Sequence, residues 1–160
     1  SVAMNAALTF LAHERARRVD PADRNALAYL YNATDGMIEI GPWSDHDAEI
    51  VAALVQRLHP LGLLKGDARS RSLTITAEGR RVVEHWICMI VCSLGDRERD
   101  RITGSLRWLG SPTEPVDEAL AKQQLVRCVP GSVQGPLEFV DYTWRTDLGL
   151  AVARSLERKP

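Results

Sequence analysis

Side chains that can bind a metal ion fall close together near the middle of the sequence. His85, Cys88 and Cys92 are spaced three and four residues apart, so they share one face of an α-helix. Imidazole and thiolate are ligands that zinc prefers, and Cys128 is a further candidate. Cysteine is also common in buried positions, and Cys88 and Cys92 lie in the most apolar segment of the chain. This context favours structural cysteines, and we expect no metal or other cofactor.

No set of residues typical of a catalytic site is recognisable. The sequence has no glycine-rich phosphate-binding loop and no Gly-x-Ser-x-Gly elbow. Its four histidines have no obvious nucleophile as a partner. We therefore do not expect an enzyme, and a cryptic enzyme or small-molecule-binding regulator is the least favoured interpretation.

Basic residues cluster in a predicted β-hairpin and at the start of the helix that follows it. A basic hairpin suits contact with a phosphate backbone, although the same residues also suit an ordinary solvated loop. The candidate DNA-binding residues are Lys65, Arg69, Arg71, Arg80 and Arg81.

The overall charge gives no independent sign of a nucleic-acid partner. The 160 residues include 20 basic and 21 acidic side chains, with a formal net charge of -1. A DNA-binding surface would therefore have to be a local patch. With 45% apolar and 26% charged residues, we expect a soluble globular protein of one or two domains.

The chain carries no sign of a membrane or secretory location. Its densest apolar run, residues 86–92, is far shorter than the roughly 20 residues of a spanning helix. The first residues lack the pattern of a signal peptide, and three cysteines do not form a disulfide framework. We therefore expect a protein of the reducing cytoplasm that has no membrane partner.

A strand-to-helix segment occurs twice in the sequence and predicts the elements that carry the basic residues and the cysteines. Thr76 to Val83 follows an alternating stretch, and Thr146 to Ala153 follows another one seventy residues later. Each copy predicts a strand that leads into a helix capped by its threonine. The predicted order in each half is helix, helix, hairpin, helix.

The two halves, residues 1–94 and 95–160, therefore predict a structural repeat. The first half adds an N-terminal helix with an apolar stripe that includes Met4, Ala7 and Leu11. The predicted elements are helices 4–18, 20–34, 44–59, 77–94, 97–109, 116–125 and 148–158, and strands 37–40, 63–67, 73–75 and 137–144.

The helix over residues 77–94 is apolar on more than one face. Such a helix is either buried on several sides or part of a subunit interface. The interface candidates are Trp86, Ile87, Ile90, Val91 and Leu94, and with them we expect a homodimer.

Helix, helix, hairpin and a helix led by Thr-x-x-Gly together resemble the winged helix-turn-helix modules of MarR- and PadR-type regulators. The resemblance implies a mainly α fold with small β-hairpin wings (α+β), arranged as two winged-helix-like units in tandem. It also implies a DNA-binding regulator in which the helix before each wing reads the major groove. Here those helices begin with acidic residues, Asp45 and Asp47 in one half and Asp117 and Glu118 in the other. We therefore expect DNA contact mainly through the basic wing; the alternative is a tandem winged-helix module that binds a protein partner without DNA.

Overall fold

The computed structural model describes residues 1–33, 36–39, 45–67, 72–103, 108–110, 115–129 and 142–158. Over these residues the chain is mainly helical with two small antiparallel sheets, which confirms the predicted class at that level. The chain divides into two compact units, Ser1–Trp86 and Ile87–Pro160. The boundary between them falls inside a helix, and the division predicted after residue 94 lies at the end of that helix.

The first unit follows the predicted order closely. Its elements are α1 (Val2–Arg18), a 3₁₀ turn (Pro21–Asp23), α2 (Arg24–Asn32), β1 (Met37–Glu39), α3 (Asp45–Leu58), β2 (Leu64–Asp67), β3 (Ser72–Ile75) and the beginning of α4 (Ala77–Ser93). Strand β3 lies between β1 and β2, antiparallel to both. Leu27 and Leu30 of α2, Leu58 of α3 and Val82 of α4 are buried in the core.

The second unit repeats this order. After the end of α4 it holds α5 (Asp96–Ile102), β4 (Trp108–Gly110), α6 (Val116–Lys122), β5 (Val126–Val129), β6 (Tyr142–Arg145) and α7 (Asp147–Glu157). Strand β6 lies between β4 and β5, so the sheet has the same order as the first. Ile102, Leu120, Leu125 and Leu148 are fully buried.

The predicted helix over residues 97–109 ends at Ile102, and residues 108–110 form a strand instead, while residues 104–107 lie outside the described part of the chain. Thr103, directly after Ile102, is extended, and its hydroxyl donates to the carbonyl of Arg99 at 3.0 Å. Thr103 and the Gly that follows it in the sequence are both weak helix formers. Trp108 lies instead in β4, where it pairs with Trp144 of β6, because aromatic residues suit a sheet.

The predicted helix over residues 116–125 also ends early, at Lys122. Gln124 adopts a left-handed backbone conformation with φ of 62°, which reverses the chain. The amide of Leu125 then donates to the carbonyl of Leu120 at 3.0 Å. Gly62 has the same role after α3, with φ of 76° and a bond from the amide of Leu63 to the carbonyl of Leu58. Both helices therefore end in the same helix-capping geometry.

A threonine joins the end of one helix to the start of the next in each unit. The hydroxyl of Thr76 donates to the carbonyl of Gly62 at 2.5 Å and accepts from the amide of Gly79 at 3.0 Å. In the second unit Thr146 bonds to Gln124 and Gly149 in the same way, at 2.6 and 3.0 Å. The predicted threonine caps are thus confirmed, and each cap also holds the turn at the end of the preceding helix.

The glycine three residues after each threonine allows a close approach between backbones. A Cβ atom on Gly79 would overlap the carbonyl oxygen of Leu63, and one on Gly149 would overlap that of Leu125. Those two leucines also accept from the threonine amides, at 3.1 Å for Thr76 and 3.0 Å for Thr146. The Thr-x-x-Gly spacing is therefore explained by the same close contact in both units, between the glycine and a leucine carbonyl.

Gly79→Ala and Gly149→Ala should each lower the free energy of unfolding by about 1–3 kcal/mol, since a methyl group is forced against backbone. This loss opposes the roughly 1 kcal/mol that alanine gains over glycine inside a helix. Urea denaturation of the purified variants measures it. Gly95→Ala is the control, because its Cβ would meet only the flexible carboxylate of Glu98; since Gly95 is the N-cap of α5, it should lose no more than about 1 kcal/mol. Wild-type stability in both helix variants would contradict the close-contact explanation.

Candidate nucleic-acid interface

Strand β2, which leads into the predicted basic hairpin, presents a lysine to solvent. Leu64 of β2 and Leu73 and Ile75 of β3 are buried, and successive side chains of a strand alternate between its two faces. Lys65 and its strand partner Thr74 lie on the other face of the sheet, and Lys65 is exposed. Arg69 and Arg71, predicted at the wing tip, lie outside the described residues.

Arg80 and Arg81 are engaged with neighbouring side chains. The Arg80 guanidinium lies over the ring of Tyr31, 5.8 Å from its centroid, and next to Gly36. It thereby braces α2 and the turn before β1 against α4. Arg81 lies 4.0 Å from the carboxylate of Glu78, and both side chains are partly exposed. Of these two predicted DNA contacts, Arg80 thus has an evident structural role.

The described surface of α3, from Glu49 to Leu58, carries no unpaired cation. Glu49 and Ile50 are exposed, and Leu58 at its end is buried. Arg57 in its last turn makes two hydrogen bonds to Asp23, both 2.8 Å long. These bonds raise the pKa of Arg57 above its ordinary value, against the smaller opposing effect of burial. The described part of α3 therefore exposes one acid, Glu49, and the amide of Gln56, while the guanidinium of Arg57 is paired with Asp23.

Asp117, an acid at the start of α6 in the second unit, is buried although the sequence predicts it on a DNA-reading helix. The carboxylate of Asp117 accepts from two nitrogens of Arg101, at 3.0 and 3.2 Å, and from the hydroxyl of Thr143 at 3.0 Å. The Asp117 side chain is only 1% exposed. Its charge is thus compensated inside the unit, and Glu118 is the exposed acid at this helix start.

Four of the five interface candidates on α4 lie in the chain's own core. Trp86, Ile87, Ile90 and Leu94 are at most 9% exposed, and Val91 is half-buried. These positions follow the three- and four-residue spacing of one buried stripe. Their burial leaves little surface for a partner, so the structure does not support this stripe as the interface.

The opposite face of α4 carries the two thiols. Cys88 and Cys92 are free and exposed, so the expectation of buried structural cysteines is wrong for both. They fall between the residues of the buried stripe and so face away from the core. No group of three or more His, Cys, Asp or Glu side chains could hold a metal ion within the described ranges. His85, Cys88 and Cys92 therefore do not form a three-ligand site there.

A contact between two histidines was not predicted from the sequence. Nδ1 of His13 in α1 lies 3.3 Å from Nε2 of His85 in α4, although 72 residues separate them. Their rings meet nearly edge to face. Burial and the charge of His13 lower the pKa of His85. No local pattern marks two residues so far apart as partners.

Comparisons of the chain with protein-family models, curated proteins and solved structures give no match. None of the helices in the described part of the chain has the length and apolar character needed to cross a membrane.

Asp117→Ala should lower the free energy of unfolding by about 3–5 kcal/mol, because it leaves the Arg101 charge largely buried without its carboxylate. The neighbouring variant Glu118→Ala removes an exposed acid and should change stability by no more than about 0.5 kcal/mol. Chemical denaturation of both variants tests the difference. Equal effects would show that the Asp117 pair is not a structural support.

Proposed function

We propose that the chain is a tandem winged-helix protein. In each unit a helix, a strand, a second helix and a hairpin are followed by a long helix. In each sheet the first strand pairs with the returning strand of the hairpin. The repetition of this strand order, together with the same threonine junction, is the observation that supports the proposal.

We further propose that this protein binds DNA as a regulator, mainly through phosphate contacts from its first wing. Lys65 stands exposed at the start of that wing, and Arg69 and Arg71 follow in the sequence between β2 and β3. Phosphate contacts orient a protein on DNA without reading its bases. On the described surface of α3, Glu49 and Ile50 supply no base-reading donors and Gln56 is a single exposed amide. Arg57 is paired with Asp23, so we expect weak sequence preference. The net charge of -1 means that binding is confined to a local surface and is sensitive to salt.

A second candidate function, assembly with a protein partner, is favoured by the exposed surface of α1. This helix buries Ala12 and Ala16, whereas Met4 and Leu11 of the predicted stripe are 59% and 42% exposed. The apolar stripe predicted for α1 therefore points to solvent. Apolar side chains gathered on one exposed surface are typical of a protein-binding site.

The partner proposed for α1 is a second copy of the chain. Met4, Ala7 and Leu11 recur at spacings of three and four, so they form one stripe along the helix. A stripe of this kind can pack against its own copy about a two-fold axis. This arrangement keeps the expected homodimer but moves its interface from α4 to α1.

Lys65→Ala should weaken binding to short DNA duplexes about equally for all sequences. It should also reduce the slope of log affinity against log salt by about 1, as the loss of one phosphate contact does. Arg69→Ala and Arg71→Ala should behave alike. Fluorescence anisotropy over a salt series measures both quantities.

Arg17→Ala is the matched control for DNA binding, because Arg17 is 71% exposed on α1, outside the winged-helix elements. Its affinity and salt slope should stay at the wild-type values. A wild-type chain that binds no duplex at low salt rules out the DNA proposal.

Leu11→Glu should convert a dimer into a monomer, because Leu11 lies on the proposed α1 stripe and is 42% exposed, so that the substitution places a charge within the contact. Light scattering after size exclusion, over a range of protein concentrations, gives the mass. Ile50→Glu is the control, since Ile50 is 53% exposed on α3 and should leave the mass unchanged. A wild-type chain that stays monomeric at high concentration excludes self-association through α1.

A further inference from the structure

The two histidines between α1 and α4 have a geometry that suits a shared ligand. The nearest ring nitrogens, Nδ1 of His13 and Nε2 of His85, are 3.3 Å apart. The ring centroids are 5.2 Å apart and the ring planes meet at 79°. Two imidazoles bound to one tetrahedral zinc ion, with Zn–N bonds of about 2.05 Å, have nitrogens about 3.3 Å and centroids about 5.2 Å apart.

A straight hydrogen bond between the two rings predicts a longer centroid distance. With the nitrogens 3.3 Å apart and aligned with both ring centres, the centroids would stand about 5.6 Å apart. The observed 5.2 Å means that the two ring axes are not collinear. A bent arrangement of this kind is also what two imidazoles on one tetrahedral ion require.

The surroundings of the pair leave it open to a metal ion. His13 is exposed and His85 is half-buried, so water can complete the coordination shell. Both residues lie inside regular helices, which hold their side chains more firmly than loops do.

We propose that His13 and His85 form a two-histidine site for a divalent transition metal ion of the zinc class. Imidazole suits Zn²⁺, Ni²⁺ and Cu²⁺, whereas Mg²⁺ and Ca²⁺ prefer oxygen ligands. The bound ion would link α1 to α4 within the first unit. This inference is independent of DNA binding.

The thiols on α4 are not part of the proposed site. Cys88 lies one turn beyond His85, yet the described residues contain no three-ligand group around it. The ligand set therefore differs from the helical set His85, Cys88 and Cys92 that the sequence suggests. This difference gives the experiment a direct control.

The test uses the untagged full chain titrated with ZnCl₂, followed by thermal unfolding and isothermal calorimetry. An ion that binds only the folded state raises the unfolding midpoint, by about 5–10 °C at 100 times the dissociation constant. His13→Ala and His85→Ala should each weaken binding at least about tenfold, since even loss of an outer-shell partner costs roughly 10–100-fold. MgCl₂ should produce no shift.

His59→Ala is the matched control, because His59 is an exposed histidine in the turn after α3. That variant and Cys88→Ser should bind zinc as the wild type does. Zinc binding unchanged in His13→Ala, or lost in Cys88→Ser, overturns the two-histidine assignment.

Cobalt substitution gives a second readout in case His85→Ala fails to fold. The wild-type chain with Co²⁺ should show ligand-field absorption without a thiolate charge-transfer band, and His13→Ala should lose it. A thiolate band in the wild type, or no cobalt binding at all, equally contradicts the proposal.

Discussion

The architecture depends on a threonine hydroxyl that bonds to two helices at once. Thr76 and Thr146 each accept from the first turn of the helix they cap and donate to the left-handed residue after the preceding helix. Thr76 lies 14 residues after Gly62, whose carbonyl accepts from its hydroxyl, and Thr146 lies 22 residues after Gln124. The junction is therefore the same although the hairpins differ in length. It fixes where the first strand of each hairpin begins and where the second ends.

Local sequence signals predicted the parts of the fold that local interactions determine. The threonine caps, the hairpin around residues 63–75 and the short strand after residue 36 all follow from neighbouring residues, whereas the pairing of β1 with β3 was not predicted. The error at Trp108 arose because apolar spacing at 102, 106 and 109 suits a helix, whereas pairing with distant Trp144 selects a strand. The Asp117–Arg101 pair and the His13–His85 contact join residues from different helices, which no local pattern could indicate.

Charge counted along the sequence differs from charge presented at the surface. Asp23 and Asp117 are both buried and each binds an arginine through two hydrogen bonds. Neither acid repels an approaching phosphate as an isolated exposed carboxylate would. The charges of Arg57 and Arg101 are balanced by these two carboxylates, so neither pair adds net positive charge to a basic patch. The electrostatic surface of the protein thus rests on fewer groups than its composition suggests.

The small side chains that hold α1 in place have a consequence for its dynamics. Ala12 and Ala16 are the residues that α1 buries within its helical span, and alanine removes little apolar area from water. Detaching this helix therefore costs less free energy than opening the leucine-rich core. In hydrogen exchange, α1 should behave as a separate cooperative unit with low protection. A ligand that binds α1 and α4 together would then shift this equilibrium toward the state in which α1 is packed.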